Sequence, residues 1–279
     1  MNLCVIGLGL IGGSMALTLK QKGLAARVYG VEANPAHASE AMRLGLVDAL
    51  LPLDEAVSAS DVVLLAVPVD ILVYLLPQVL NKVQKQVVFD AGSTKESVLN
   101  AVSGHPRRGR FVAAHPMWGT EYSGPAAAVA NGFTGKAAVI CDREVSDPDA
   151  LAKVEGIHRA LGMHLLYMNG RDHDLHVAYI SHISHITSFA LANTVLEKER
   201  EEQAIFELAS GGFESTVRLA KSNPAMWVPI FRQNRSNVLE VLNEHISQLR
   251  RFRSCLEDED YEQLARLIEE ANEIKRIIH

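Results

Sequence analysis

The sequence predicts an α/β protein with an N-terminal Rossmann-type domain, built on a doubly wound, mostly parallel sheet, and an all-α C-terminal dimerisation domain. Short β-branched runs alternate with amphipathic stretches in the first 170 residues. This rhythm is typical of parallel strands joined by crossover helices. A glycine-rich turn follows the first run. Only helical periodicity remains beyond Asp172, so we predict a domain of residues 1–170 and another of residues 171–279.

Seven apolar runs predict the strands of the first domain. They span residues 3–6, 27–31, 62–67, 87–89, 111–114, 137–140 and 164–167. Helix-like stretches fall between most of them, so we expect helices on both faces of the sheet. Pro68 follows the third run directly and marks its end, because proline cannot continue the hydrogen-bonded ladder of a central strand.

The second half is predicted to consist of long amphipathic helices. Asn223 before Pro224 is typical of an N-cap followed by a first-turn proline, and it predicts one long helix from that point. Another helix is predicted from about Tyr261. Apolar side chains recur along both helices, at Val238, Leu239, Val241, Leu242, Ile246 and Leu249, and at Leu264, Leu267, Ile268, Ile274 and Ile277. A domain of this size would leave much of that surface exposed, so we expect a homodimer through the helical domain.

Composition favours a small molecule as the main partner. A formal net charge of -6 without long basic runs argues against nucleic acid or an anionic membrane. No segment reaches the roughly 18 unbroken apolar residues of a membrane-spanning helix. The N-terminal run lacks the basic flank of a secretory signal. Three scattered cysteines do not form a disulfide framework. We therefore expect a cytoplasmic protein.

The glycine-rich turn predicts a dinucleotide site. Gly7, Gly9 and Gly12 form a GxGxxG motif between the first strand and an amphipathic helix. Glycines at this spacing let the backbone approach a pyrophosphate, whose charge lies at the positive end of the helix. The predicted cofactor contacts are Gly7, Gly9, Leu10, Ile11, Gly12, Glu32, Val67 and Pro68.

Glu32 favours NAD over NADP. It lies about twenty residues after the last glycine of the motif, where a carboxylate binds both hydroxyls of the adenosine ribose. The same carboxylate would repel a 2′-phosphate, and no arginine follows it to receive one. We therefore predict NAD as the cofactor.

Three polar clusters contain candidate catalytic and substrate-binding residues. Ser93 and Thr94 follow the strand of residues 87–89, where a hydroxyl either faces the ligand crevice or caps a helix. His115 ends the next strand and is suited to accept a proton near neutral pH, unless the backbone alone satisfies it. His182 and His185 lie three residues apart on one helix face, as substrate contacts or as packing residues.

A metal site is the alternative interpretation of the histidines. Four of them are close in sequence, at His173, His176, His182 and His185. Neither an HExxH motif nor a cysteine pair accompanies them, so we expect no metal.

The motifs together resemble the prephenate and arogenate dehydrogenase family over essentially the whole chain. They are GLGLIGGS at the start, DxxSxK from Asp90, HPMWGTE from His115, ISHxxH from Ile180, GGF…TxR from Gly211 and NPxxW from Asn223. The resemblance implies a Rossmann domain, a helical dimerisation domain and an active site in the cleft between them.

The resemblance also implies roles for individual residues. His115 matches the family's catalytic histidine and Ser93 its active-site serine. Arg218 matches the arginine that binds a substrate carboxylate. The alternative role for an arginine at this position is that of a surface or capping residue. Paired helix histidines correspond to His182 and His185, and Glu121 to an acidic residue near the site entrance. Many relatives have Arg-Asp where this chain has Glu214 and Ser215, so no salt bridge from that position to Glu121 is expected.

The activity implied is NAD-dependent oxidative decarboxylation of prephenate to 4-hydroxyphenylpyruvate, CO2 and NADH in tyrosine biosynthesis. Arogenate is the alternative substrate and would give tyrosine directly, with Glu121 available to its ammonium group. A non-catalytic NAD-sensing protein is an alternative of another class, but such a protein has no need of Ser93, His115 and Arg218 together. Related hydroxyacid dehydrogenases place a lysine base in the helical domain, and no such match is found here. We expect neither an ACT domain nor a fused chorismate mutase, so any inhibition by tyrosine is expected at or near the active site.

Overall fold

The first domain contains one eight-stranded sheet within the part of the chain that the computed structural model describes, residues 1–199 and 206–277. Its strands are β1 (Asn2–Ile6), β2 (Arg27–Val31), β3 (Ala49–Leu50), β4 (Val62–Leu65), β5 (Val87–Asp90), β6 (Phe111–Pro116), β7 (Ala137–Cys141) and β8 (His164–Met168). The spatial order is β3-β2-β1-β4-β5-β6-β7-β8. Neighbours are parallel except β6 and β7, which are antiparallel. The predicted doubly wound, mostly parallel sheet is confirmed.

Successive side chains of the central strands point to opposite faces of the sheet, so each face has its own core. Leu3 and Val5 of β1 point into one core, whereas Cys4 and Ile6 point into the other, and all four are almost fully buried. A strand buried on both faces must be apolar throughout, and this explains the continuous β-branched runs of the sequence.

Six helices among the described residues cover the two faces. They are α1 (Leu10–Gln21), α2 (Pro35–Arg43), α3 (Leu53–Ser58), α4 (Val69–Lys82), α5 (Glu96–Asn100) and α6 (Pro148–Ala160). Helices α1, α2 and α6 contribute to one core, and α3, α4 and α5 to the other. Strand order reverses at β1, which lies between β2 and β4. Ligands of open α/β sheets bind at the carboxyl ends of the strands beside such a reversal.

The second half of the described chain is helical. Its helices are α7 (Gly170–Val177), α8 (Ile183–Glu199), α9 (Gly211–Val217), α10 (Pro224–Gln233), α11 (Arg235–Glu257) and α12 (Tyr261–Asn272). A π-helical turn, Ala178–His182, joins α7 to α8. Val69 at the start of α4 packs against Trp227 and Ile230 of α10, so this contact connects the helical half to the sheet domain.

Three features differ from the sequence predictions. The single long helix expected from Pro224 is wrong, because Asn234 interrupts it between α10 and α11 with φ -100° and ψ 26°. The N-cap itself is confirmed, since the Asn223 side chain accepts a hydrogen bond from the backbone N–H of Ala225. Strand β4 ends at Leu65, two residues before the predicted end. The two-residue strand β3 was not foreseen.

The long helices expose many apolar side chains. In α11, which has 23 residues, only Val238, Val241 and Cys255 are buried. The exposed apolar residues of α11 and α12 include Leu239, Leu249, Leu256 and Ile268. No described helix combines the length and the apolar character needed to cross a membrane.

Candidate active site

A cleft of about 570 Å³ lies between the glycine-rich turn, the carboxyl ends of β5 and β6, and the helical half. Most of the predicted site residues line it: Gly9, Leu10, Ile11, Val67, Pro68, Ser93, His115, Glu121, His182, His185 and Arg218. Gly7, Gly12 and Glu32 lie outside the lining and shape the turn behind it. The structure thus brings residues from both halves of the chain around one space.

The glycine-rich turn is shaped to hold a pyrophosphate. Gly7 has φ +93°, in the left-handed region, and a Cβ there would overlap the carbonyl oxygen of Ala66. A Cβ on Gly12 would overlap the carbonyl oxygen of Gly7. In contrast, a Cβ on Gly9 would meet no protein atom within 4 Å. Gly9 therefore leaves open space at the N-terminus of α1, where a dinucleotide fits.

Glu32 is held rigidly beside this turn. It follows β2 directly, and its Oε2 accepts a hydrogen bond from the Leu8 N–H at 2.9 Å. Its Oε1 accepts one from the Asn34 N–H, also at 2.9 Å. Each carboxylate oxygen retains a further lone pair. The residue is therefore oriented for ribose hydroxyls, and its negative charge disfavours a phosphate.

His115 is the end of a chain of hydrogen bonds that begins at Asp174. His115 Nδ1 lies 2.8 Å from His173 Nε2, and His173 Nδ1 lies 2.8 Å from Asp174 Oδ1. The Asp174 carboxylate also accepts hydrogen bonds from the backbone N–H groups of Lys95 (2.7 Å) and Glu96 (3.0 Å). Because a carboxylate so surrounded by donors only accepts, His173 carries its proton on Nδ1 and accepts at Nε2.

The direction of these hydrogen bonds determines which nitrogen of His115 carries the proton. His115 Nδ1 donates to His173, so a neutral His115 ring has its lone pair on Nε2. Burial holds the pKa of His115 well below its ordinary value of 6.5, and His173, Lys95 and His182 lower it further. The half-buried ring therefore presents a neutral hydrogen-bond acceptor in the cleft.

A buried ion pair supports the strand ends below His115. The side chains of Lys95 and Asp90 are both fully buried and in contact. Asp90 Oδ1 accepts from the Ala114 N–H at 3.0 Å, and Oδ2 accepts from the Gly92 N–H at 2.9 Å. Breaking one partner of such a pair leaves an unpaired buried charge, which typically costs 3–5 kcal/mol. The pair therefore fixes the ends of β5 and β6 relative to each other.

Ser93 and Thr94 do not cap the helix that follows them. The residue at the N-terminal boundary of α5 is Lys95, without a side-chain cap of its own, and the carboxylate of Asp174 receives the first N–H groups. Thr94 instead donates to Gln233 Oε1 at 2.6 Å, while Gln233 donates to the carbonyl oxygen of Val69. Ser93 lines the cleft.

His182 and His185 both line the cleft and are both held by neighbours. The His182 side chain is 1% exposed, and its Nδ1 lies 3.2 Å from Asn234 Nδ2. Burial lowers the pKa of His182 to about 4, with smaller effects of Asp174, His173 and His185. His185 Nδ1 donates to the Ser181 carbonyl oxygen, and its ring stacks on Trp227 with centroids 3.5 Å apart. Burial also lowers the pKa of His185.

Arg218 and Glu121 form an ion pair at the side of the cleft. Arg218 Nη1 lies 3.1 Å from Glu121 Oε2, and the arginine side chain is 51% exposed. The pKa of Glu121 is lowered, first by its own backbone N–H and then by Arg218. The Glu121 partner is therefore Arg218 rather than a residue at position 214 or 215. The guanidinium is accessible to an anionic ligand.

Sequence reasoning missed several residues that orient the histidines. The sequence suggests only a metal-ligand role for His173, and it gives no role to Asp174 or Asn234. The HD pair at residues 173–174, early in the helical half, was the available signal for the first two. Within residues 1–199 and 206–277, no three potential ligands gather as a metal site requires. Trp227, the last residue of the NPxxW motif, is 7% exposed, and its indole N–H lacks an acceptor among the described residues.

Both halves of the chain match models of known protein families. The family model "Prephenate dehydrogenase, nucleotide-binding domain" matches residues 15–167, and "Prephenate dehydrogenase, dimerization domain" matches residues 169–270. The prephenate dehydrogenase of Bacillus subtilis is 30% identical over 283 residues, which cover 98% of this chain and 75% of that protein.

Solved structures resemble the whole chain. The prephenate dehydrogenase of Aquifex aeolicus, in complex with hydroxyphenyl propionate and NAD+, has a TM-score of 0.85 and 29% identity, covering 99% of this chain and 97% of that one. The arogenate dehydrogenase of Synechocystis has a TM-score of 0.76 and 26% identity, covering all of both chains. The nucleotide-binding match and the NAD+ of the Aquifex structure confirm NAD as the predicted cofactor.

Proposed function

This chain belongs to the prephenate dehydrogenase family, and on that premise we propose that it oxidatively decarboxylates prephenate to 4-hydroxyphenylpyruvate, CO2 and NADH in tyrosine biosynthesis. The observation that carries the proposal is the Asp174–His173–His115 chain of hydrogen bonds. It leaves a neutral acceptor, His115 Nε2, in a cleft that also contains the cofactor turn and an accessible arginine.

His115 acts as the base in this proposal. NAD, when bound on the glycine-rich turn, supplies the acceptor for the hydride that leaves the ring carbon bearing the hydroxyl. His115 Nε2 takes the hydroxyl proton as the carbonyl develops. The opposite ring carboxylate leaves as CO2, the ring becomes aromatic, and the proton returns to the oxygen, which is then phenolic. A positioned base contributes typically 10²–10⁴-fold to such a step.

The remaining cleft residues bind and orient the substrate. Arg218 pairs with a substrate carboxylate, because a guanidinium offers two parallel donors to it and is always charged. Forming this contact requires the substrate to compete with Glu121. Ser93 places a hydroxyl near the end of β5, and His182 and His185 also line the cleft. None of these residues requires a metal.

Arogenate is the second candidate substrate, and Glu121 is the observation that favours it. Arogenate carries an ammonium group where prephenate carries a keto group, and a carboxylate at the side of the cleft would bind that ammonium. In a prephenate enzyme, Glu121 instead holds Arg218 until substrate arrives. The two roles predict opposite substrate preferences.

The test is to offer prephenate, arogenate and simple hydroxyacids to the purified protein with NAD, and to measure NADH, CO2 and the aromatic product. We expect equal amounts of NADH and CO2 with prephenate, and a higher kcat/KM for prephenate than for arogenate. A higher kcat/KM for arogenate would replace the substrate but keep the reaction. NAD binding without turnover of any of these compounds would contradict the proposal and favour an NAD-sensing protein.

Three further expectations belong to this proposal. The chain acts as a homodimer through its helical half, in keeping with the dimerization-domain match. The nucleotide-binding domain comprises residues 1–170 and the helical domain residues 171–279. A cytoplasmic location stays a prediction that rests on composition.

A further inference from the structure

Asn234 occupies an unusual place in the helical half. It is 3% exposed and lies between α10 and α11, where the apolar pattern of the sequence predicts an uninterrupted helix. Its backbone departs from helical geometry at this point, with φ -100° and ψ 26°. A buried polar residue at a helix break needs partners for its amide group. One of those partners, His182, lines the cleft.

The amide of Asn234 has only one consistent orientation. Its Nδ2 lies 2.6 Å from the backbone oxygen of Asp174, which can only accept, so this atom is the donor. Its Oδ1 accepts from Asn237 Nδ2 at 2.7 Å. The same Nδ2 lies 3.2 Å from His182 Nδ1. The nitrogen of His182 that faces Asn234 must therefore accept a hydrogen bond.

This contact determines the tautomer of His182. A neutral imidazole that accepts at Nδ1 carries its proton on Nε2. His185 has the opposite arrangement, since its Nδ1 donates to Ser181 and its Nε2 accepts. His115 also has its acceptor at Nε2. Of these three histidines, only His182 carries its proton on Nε2, whereas His115 and His185 carry theirs on Nδ1.

We propose that Asn234 is a positioning residue that holds His182 as an Nε2–H donor to an oxygen acceptor of the substrate, a carboxylate or carbonyl oxygen. This inference rests on the proposed function. It also specifies the group that His182 recognises, because an ammonium group has no lone pair to accept this hydrogen bond. His182 thereby contributes to substrate affinity, whereas His115 performs the proton transfer.

In the variant Asn234→Asp, hydrogen-bond donation by His182 Nε2 should depend on pH. A carboxylate facing Nδ1 stabilises the protonated ring, so the pKa of His182 rises from about 4. Below the raised pKa the protonated ring still donates from Nε2. Above the raised pKa, the remaining proton lies on Nδ1, next to the carboxylate. Nε2 then has no proton and can no longer donate a hydrogen bond. The KM for prephenate in this variant should therefore rise with pH, by roughly tenfold, relative to wild type.

Apart from the carboxyl group introduced at position 234, the titratable groups around His182 are the same in both proteins. They are Asp174, His173, His185 and His115. Their effects cancel in the comparison of variant with wild type, while kcat at low pH reports any damage to the hydrogen-bond chain of His115. The matched control is Asn234→Asp in a His182→Gln background, because glutamine is a donor that does not titrate. In that background the pH dependence of KM should disappear.

The pH dependence of KM in the two variants decides whether the proposal holds. A pH-dependent KM in Asn234→Asp that vanishes with His182→Gln supports the proposal. A KM that follows wild type at every pH, or a pH dependence that persists in the His182→Gln background, overturns it. If Asn234→Asp does not fold, NMR of isotope-labelled histidine in the wild-type full chain decides, with signals assigned from the His182→Gln spectrum. We expect His182 protonated at Nε2, and a proton at Nδ1 would overturn the proposal even if prephenate proved not to be the substrate.

Discussion

Arg218 is the side chain whose proposed role is most easily separated from that of the base. A carboxylate clamp acts on ground state and transition state alike, so Arg218→Ala should raise the KM for prephenate by at least about tenfold while changing kcat much less. Steady-state kinetics measures both constants. Arg159→Ala is the matched control, because Arg159 is also an exposed arginine paired with a glutamate, at 2.8 Å, but on α6 away from the cleft. A kcat loss at unchanged KM would contradict the assignment.

The burial of His158 predicts that the stability of the protein depends on pH. It is fully buried in α6, its Nδ1 donates to the Val154 carbonyl oxygen, and its Nε2 lacks a partner among the described residues. Burial lowers its pKa, despite opposing contributions from Val154 and Asp90. The unfolded chain therefore takes up a proton below about pH 6.5 that the folded chain does not, and stability falls as pH decreases.

His158→Leu should reduce this acid sensitivity. Between about pH 7.5 and about pH 5.5, the free energy of unfolding should fall by about 1 kcal/mol less in the variant than in wild type. Urea unfolding at the two pH values measures the difference. His164→Leu, at an exposed histidine of β8, is the matched control. Equal pH dependence in wild type and His158→Leu would show that His158 titrates normally in the folded state.

At the scale of elements, we predict that the turn after β1 and the end of β2 together select the cofactor. Replacing Glu32 by serine and Ala33 by arginine should shift the ratio of kcat/KM values for NADP and NAD towards NADP by at least about tenfold, because the repelling carboxylate is removed and a phosphate partner is added. Ala33→Arg alone should leave NAD preferred. A wild-type protein that prefers NADP would refute the role of Glu32.

The order and type of most elements could be predicted because local patterns decide them. Seven apolar runs became strands, and the Asn223–Pro224 signal became a helix start. The antiparallel direction of β7 was not predictable, because a strand buried on both faces has the same apolar pattern in either direction. The helix break at Asn234 depends on hydrogen bonds to Asp174 and His182, which are 60 and 52 residues away in sequence.

The candidate site was predictable in part for the same reason. Ser93 and His115 could be identified because they end strands that meet at one edge of the sheet. The hydrogen-bond partner of His115 could not be identified from the sequence, because His173 is 58 residues further along the chain and belongs to the helical half. The capping of α5 by Asp174, rather than by Ser93 or Thr94, likewise depends on how the two halves pack.

At the scale of the whole molecule, the proposed base is held by residues from both halves. β6 provides His115, and α7 provides His173 and Asp174. The backbone at the start of α5 in turn holds Asp174. The proton position on His115 therefore depends on the docking of the helical half against the sheet domain.

The exposed apolar face of the helical half predicts a homodimer. The solvent-exposed leucines of α11 include Leu239, Leu249 and Leu256. Burying them between two copies removes apolar surface from water at about 25 cal/mol per Å². Sedimentation at micromolar concentration should report roughly twice the chain mass of 30.5 kDa. A single species with the mass of one chain would contradict this prediction.

We predict that neutral His115 accepts the proton of the prephenate hydroxyl, and the pH profile of kcat/KM for wild type and His115→Asn tests this role. In wild type the acidic limb should lie below 6.5, because burial and the neighbouring His173, Lys95 and His182 hold the pKa of His115 below that value. His115→Asn should lose this limb and lower kcat by at least about a hundredfold, with KM within a few-fold. A variant that keeps both near wild-type kcat and the acidic limb would contradict the claim.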